Sequence, residues 1–200
     1  MTSEFFTLND RADGVATLTI TRPERGNILG TPVITALIGA LQQLSQRQEL
    51  RALILTGSGD RSFIAGADLK EMSQLDPDSA QRFISTLLYL CEAVRALPVP
   101  VVARINGWCL GGGLEVAMAC DLRIAAAKAK FAMPEVKVGI PSVIHAALMP
   151  RLIGAGRARW MILTGDTIDA ETALQWGLID RVARSEEHMS ELQSRSDLVC

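Results

Sequence analysis

An alternation runs through this chain and restricts its fold more than any other feature. Short runs rich in β-branched and aliphatic residues, VATLTI (15–20), RALILTG (51–57), VPVVARING (99–107) and DLRIAA (121–126), are each closed by turn formers. Between the first two lies TPVITALIGALQQLSQRQEL, where Ile34, Leu37, Ile38, Leu41 and Leu44 recur at helical spacing. Thr31 reads as its N-cap and Pro32 as its first helical residue. A second amphipathic stretch, DPDSAQRFISTLLYLCEAVRALP, runs from a capping Asp76 to Pro98. MPRLIGAGRARWMILTG reads as helices interrupted by glycine, and DAETALQWGLIDRV as a short helix capped by Asp169 that runs into a strand. Strands alternating with helices predict an α/β architecture in which helices cover the strands.

With 200 residues, 48% of them hydrophobic, the chain is long enough for one domain with a sizeable core. Twenty basic residues stand against 22 acidic ones with no block of like charge, so the sequence carries no electrostatic footprint of a nucleic-acid or membrane-surface partner. Cys91, Cys109, Cys120 and Cys200 form no CxxC pair and no metal-ligand spacing, and they read as reduced thiols of a cytoplasmic protein. MTSEFFTLND lacks a basic segment followed by an apolar one, and no run reaches 18 apolar residues; neither a signal peptide nor a membrane span is expected.

The stretch LGGGLEVAMACDL (110–122) puts three glycines before an apolar run and one carboxylate, Glu115, inside it. Glycines between a strand and a helix expose main-chain N–H groups that have no intrahelical acceptor, which suits a phosphate or a developing oxyanion; equally, they permit close packing of the helix. Glu115 is flanked by Leu114, Val116, Ala117, Met118 and Ala119, so its helix is expected to be buried. A carboxylate there is either a functional group with a raised pKa or an inert partner of Arg123, Arg104 or a backbone donor. In KFAMPEVKVG, Glu135 follows a proline at a loop end, a position from which a side chain faces either a cleft or solvent. Together the two glutamates suggest a pair of carboxylates around one reacting atom. FIAGADLKEM (63–72) offers a second narrow backbone surface at Ala65, Gly66 and Ala67, just before a helix led by Asp68. That surface is either a second oxyanion donor or an ordinary left-handed turn.

In that order, ITRPERGNIL (20–29), FIAGADLKEM, INGWCLGGGLEVAMACDLRIAA (105–126) and FAMPEVKVGI (131–140) closely resemble the motifs of the crotonase superfamily, the enoyl-CoA hydratases and isomerases, over roughly residues 5–183. The resemblance implies a spiral of ββα units (the ClpP/crotonase fold) and assembly as a homotrimer or hexamer. It implies that the N–H groups of Ala67 and Gly112 hold the thioester oxygen of an acyl-CoA. Backbone around Ala65 and from Asp68 through Leu69 to Lys70 would line the coenzyme A site, and Glu115 and Glu135 would hold and activate one water. The implied activity is hydration of a 2-enoyl-CoA, with no metal and no cofactor beyond the coenzyme A of the substrate. The alternatives are a double-bond isomerase and a catalytically silent acyl-CoA-binding module.

Two stretches depart from the family pattern. Where many hydratases carry G-A-G-G-T after the second glutamate, this chain reads GIPSVIHAALMPRLIG (139–154), so Ser142, Val143 and Ile144 are expected to change the bulk facing the acyl group. His145 either reaches the site or is a hydrogen-bonded core residue, and no partnering Ser or Cys motif supports a hydrolase triad. After Ala183, where the family continues into further helices, the chain reads RSEEHMSELQSRSDLVC (184–200). This string resembles the translation of a sequencing-adapter sequence with one residue changed. The expectation is a core domain over 1–183 and a non-native or disordered tail over 184–200, in which His188 and Cys200 carry no function.

Overall fold

The computed structural model describes residues 3–183; the expected tail, 184–200, lies outside the described residues. The chain opens with an antiparallel hairpin, β1 (Phe6–Asp10) and β2 (Val15–Ile20), followed by helix α1 (Thr31–Leu44). From there it winds as a spiral in which each turn lays one strand into a large sheet and a shorter one into a small sheet. The first turn is β3 (Ala52–Gly57), β4 (Ser62–Ile64), α2 (Leu69–Met72) and α3 (Pro77–Arg95). The second is β5 (Val101–Ile105), β6 (Trp108–Leu110) and α4 (Gly112–Ala119). The third is β7 (Leu122–Ala126) and β8 (Lys130–Ala132), followed by 3-10 turns at Pro134–Val138 and His145–Leu148 and then α5 (Met149–Ile153) and α6 (Ala155–Thr164). β9 (Ile168–Asp169), α7 (Ala170–Trp176) and β10 (Arg181–Ala183) complete the described chain.

The large sheet has the order β1-β2-β3-β5-β7-β10 and is parallel from β2 onward, and the small sheet has the order β4-β6-β8-β9. Every residue of β3 is buried, as expected of a central parallel strand covered on both faces, and its sequence is accordingly continuous rather than alternating. The stripe Phe83, Leu87, Leu90, Cys91 and Val94 turns α3 inward at helical spacing. The four strands of the small sheet have no more than three residues each, too few to show a period in the sequence.

One helix start differs from expectation. Gly30, in an extended conformation, is the N-cap of α1, and Thr31 is already helical. The physical reason lies 40 residues away: the carboxylate of Glu71 accepts the Thr31 hydroxyl and the Thr31 N–H, the latter at 3.0 Å, and supplies the capping acceptor that Thr31 would otherwise provide. Asp76 and Asp169 cap α3 and α7 as read, accepting from Ser79 N at 2.8 Å and Thr172 N at 2.9 Å.

Asn27 joins the hairpin to the first turn of the spiral. It is fully buried and holds φ +56°; its Oδ1 accepts Arg22 N–H at 3.0 Å while Nδ2 donates to the carbonyls of Ser58 and Ser62. That staple sets Leu29 beside the 65–68 loop, where Leu29 N–H donates to Gly66 O and Asp68 N–H donates to Leu29 O, both at 2.9 Å. Among the described residues, no helix is long and apolar enough to cross a membrane, and no cluster of three or more His, Cys, Asp or Glu is placed to hold a metal ion.

Candidate active site

The 65–68 loop, the start of α4 and the 3-10 turn at 134–138 converge on a cavity of about 270 Å³. Ala65, Ala67, Leu69, Gly112, Glu115 and Glu135 all line it. Asp68 and Lys70 stand apart. The Asp68 carboxylate is occupied as the N-cap of α2, accepting from Lys70 N at 3.1 Å and Glu71 N at 3.3 Å, and it pairs with Arg25 at 2.8 Å; Lys70 is exposed.

The three glycines divide the work that the sequence left undecided. Gly111 takes φ +49°, and a Cβ there would stand 2.5 Å from Glu135 Oε1. Gly113 serves packing, because its Cβ would meet Ile64 O at 2.3 Å where α4 lies against β4. Gly112 faces the cavity opposite the loop, with Ala67 N 4.0 Å from where its Cβ would be. Its N–H lies in the first turn of α4, where no intrahelical acceptor exists. The bridge to Leu29 uses Gly66 O and Asp68 N–H, and among the described residues the intervening Ala67 N–H has no acceptor. Both residues line the same cavity, so two main-chain donors without a protein acceptor border one space.

Glu115 is 3% exposed. Neither arginine considered as its partner reaches it. Arg123 donates to Leu178 O, Cys120 O and Asp180, tying β7 to the segment before β10, and Arg104 turns to the Thr56 hydroxyl. Instead Glu115 Oε1 accepts the N–H groups of Ile144 at 3.2 Å and Ala146 at 3.0 Å. Burial pushes its pKa up to about 7 against the pull of those donors, and the neighbouring Glu135 adds to the rise. Burial also raises Glu135, and the Ser142 hydroxyl works in the opposite direction. Glu135 Oε2 is buried with no hydrogen-bond partner among the described residues. A pair of carboxyls in one cavity, both shifted toward the protonated form, is suited to proton transfer near neutral pH.

The apolar wall comes from α3, which the sequence shows only as an amphipathic helix. Phe83, Ile84 and Leu87 of α3 line the cavity, and one signal was available: 83, 84 and 87 share a helix face. Ser142, Val143 and Ile144, where the sequence departs from the family pattern, line the same cavity. His145 does not line the cavity. It is buried behind it, with Nε2 3.2 Å from Glu92 Oε1. Cys91, Cys109 and Cys120 are buried free thiols whose pKa burial pushes up, Cys120 to about 12, so they are poor nucleophiles.

The two-sheet spiral, with paired carboxyls and two free N–H donors on one cavity, defines a protein of the crotonase fold class. Comparison with solved structures agrees: the chain superposes on an enoyl-CoA hydratase from Bacillus anthracis with a TM-score of 0.91 and 33% identity, covering 96% of this chain and 74% of that one. It is 38% identical over 185 residues to a crotonyl-CoA hydratase of Syntrophomonas wolfei, covering 92% of this chain and 71% of the relative. It is 37% identical over 177 residues to a short-chain-enoyl-CoA hydratase of Clostridium acetobutylicum, covering 88% of this chain and 68% of that protein. The enoyl-CoA hydratase/isomerase family profile matches residues 10–197, and the chain belongs to that family.

Proposed function

We propose that the protein is an enoyl-CoA hydratase that adds water across the C2–C3 double bond of a 2-enoyl-CoA. The observation that carries this reading is the meeting of Glu115 and Glu135 on the same cavity as the Ala67 and Gly112 N–H groups. The thioester oxygen accepts from both donors. As water adds at C3, negative charge moves onto that oxygen as an enolate, and each donor contributes about 3 kcal/mol at the transition state. One glutamate, ionised, takes the proton released by the water; the other, protonated, delivers a proton to C2. Their mutual repulsion favours the singly protonated pair this chemistry needs.

Hydration is preferred to double-bond isomerisation because a second carboxyl lines the cavity, whereas moving a double bond needs a single base. The coenzyme A of the substrate passes along the backbone at Ala65 and residues 68–70, and no metal or separate cofactor takes part. Trp160, Leu163 and Leu174 leave apolar surface exposed on α6 and α7, which supports assembly as a trimer or hexamer.

The test follows the ultraviolet absorbance of the conjugated thioester of a short 2-enoyl-CoA. Its loss with wild-type protein and persistence with Glu115→Gln supports hydration. Migration of a 3-enoyl double bond without water uptake selects the isomerase, and thioester binding without turnover selects a silent binding module.

A further inference from the structure

The N–H groups that hold Glu115 belong to residues 144 and 146, either side of His145. That turn lies in the stretch where this chain departs from the glycine-rich family pattern, so its geometry is set by whatever anchors it here. The anchor is visible. His145 is 4% exposed and its Nε2 lies against Glu92 Oε1 of α3, the helix that also walls the cavity through Phe83, Ile84 and Leu87. His145 Nδ1 is buried without a partner. A bare ring nitrogen tolerates that better than an N–H would, so the proton resides on Nε2 and is donated to Glu92.

We propose that His145 is a positioning residue: its bond to Glu92 pins the 144–146 turn to α3 and thereby fixes the two N–H groups that orient Glu115 Oε1. With Oε1 held by the turn, Oε2 is the oxygen left for the reacting molecule. This rests on the hydratase reading for its meaning in catalysis, but not for its geometry. Burial lowers the His145 pKa more than Glu92 raises it, and Arg95 adds to the lowering, so the imidazole is neutral in its anchoring role. The charged or titratable groups around the pair are Glu92 and Arg95 beside His145, and Glu135 and Cys91 beside Glu115.

Loosening the turn weakens donors that favour the Glu115 carboxylate, so its titration should move upward. The experiment is a ¹³C NMR titration of protein labelled at the glutamate side-chain carboxyl carbon, with the Glu115 signal identified by its loss in Glu115→Gln. His145→Ala is expected to raise the Glu115 midpoint by about one unit. His145→Gln, whose amide nitrogen can replace Nε2 as donor to Glu92, is expected to restore it. In hydration assays, His145→Ala lowers kcat about tenfold and leaves KM within about twofold, with the same rescue by His145→Gln. An unmoved Glu115 midpoint in His145→Ala overturns the proposal even where thermal stability falls. Should His145→Ala not fold, Glu92→Ala cuts the same bond from its half-exposed end; an upward shift there supports the proposal and an unmoved midpoint overturns it. A midpoint that moves in a protein with no hydratase activity upholds the positioning role and removes only the hydratase reading.

Discussion

Gly111 and Glu135 compete for one volume: a Cβ on Gly111 would stand 2.5 Å from Oε1 of Glu135. The carboxyl occupies space that any other residue at 111 would claim, and φ +49° already disfavours a side chain there. Gly111→Ala should therefore displace Glu135 more than it disturbs the fold. Turnover is expected to fall by about two orders of magnitude, since a misplaced catalytic group costs roughly that much. Stability should fall by about 1–2 kcal/mol. Steady-state kinetics and urea unfolding separate the two effects.

Both carboxyls are required if one accepts and the other delivers a proton. Glu115→Gln and Glu135→Gln are each expected to lower kcat by about 10²–10⁴-fold. The double variant should lose far less than the product of the single losses, because the pair acts as a unit. A product-sized loss in a double-mutant cycle would show that the two act independently.

The site lowers stability above neutral pH. Glu115 has a folded pKa of about 7 against an ordinary 4.5, so between those values the native state keeps a proton that the unfolded chain has lost. Stability is highest below that window, falls as pH rises through it by up to about 3 kcal/mol, and is flat above it as far as this group is concerned. Glu135, raised as well, acts in the same direction. Glu115→Gln should then be more stable than wild type at pH 8, with the advantage disappearing toward pH 5. Urea unfolding across pH 5–8 measures both curves.

Arg123 belongs to the fold and not to the chemistry. It is 6% exposed and donates to two carbonyls and to Asp180. Arg123→Ala takes the guanidinium from the Leu178 and Cys120 carbonyls, while Asp180 keeps the main-chain N–H of residue 123 at 2.7 Å, and is expected to cost about 3 kcal/mol. KM should be unchanged at temperatures where the variant remains folded, as a thermal scan beside the kinetics would show.

Features set within a few residues along the chain could be read from the sequence. Helical spacing in α1 and α3 and the caps at Asp76 and Asp169 arise from interactions inside one or two turns of helix, and the aliphatic neighbours of Glu115 mark its helix as one that packing will bury. The sequence also put Glu115, Glu135 and the two small-residue turns forward as candidates, because carboxylates and glycines in apolar surroundings are costly unless something uses them. Their meeting in one cavity was decided by the spiral, which stacks successive turns so that residues 67, 112 and 135 become neighbours.

The same winding chose partners that no local pattern specifies. Glu71 caps a helix 40 residues earlier, and Ala146, 31 residues on, holds Glu115 where two arginines were also candidates. Local periodicity reports which face of an element is apolar, but a hydrogen bond between distant segments depends on the positions both occupy after packing. The short strands of the small sheet follow the same rule, since with three residues or fewer each gains its conformation from its neighbour in the ladder rather than from its own sequence.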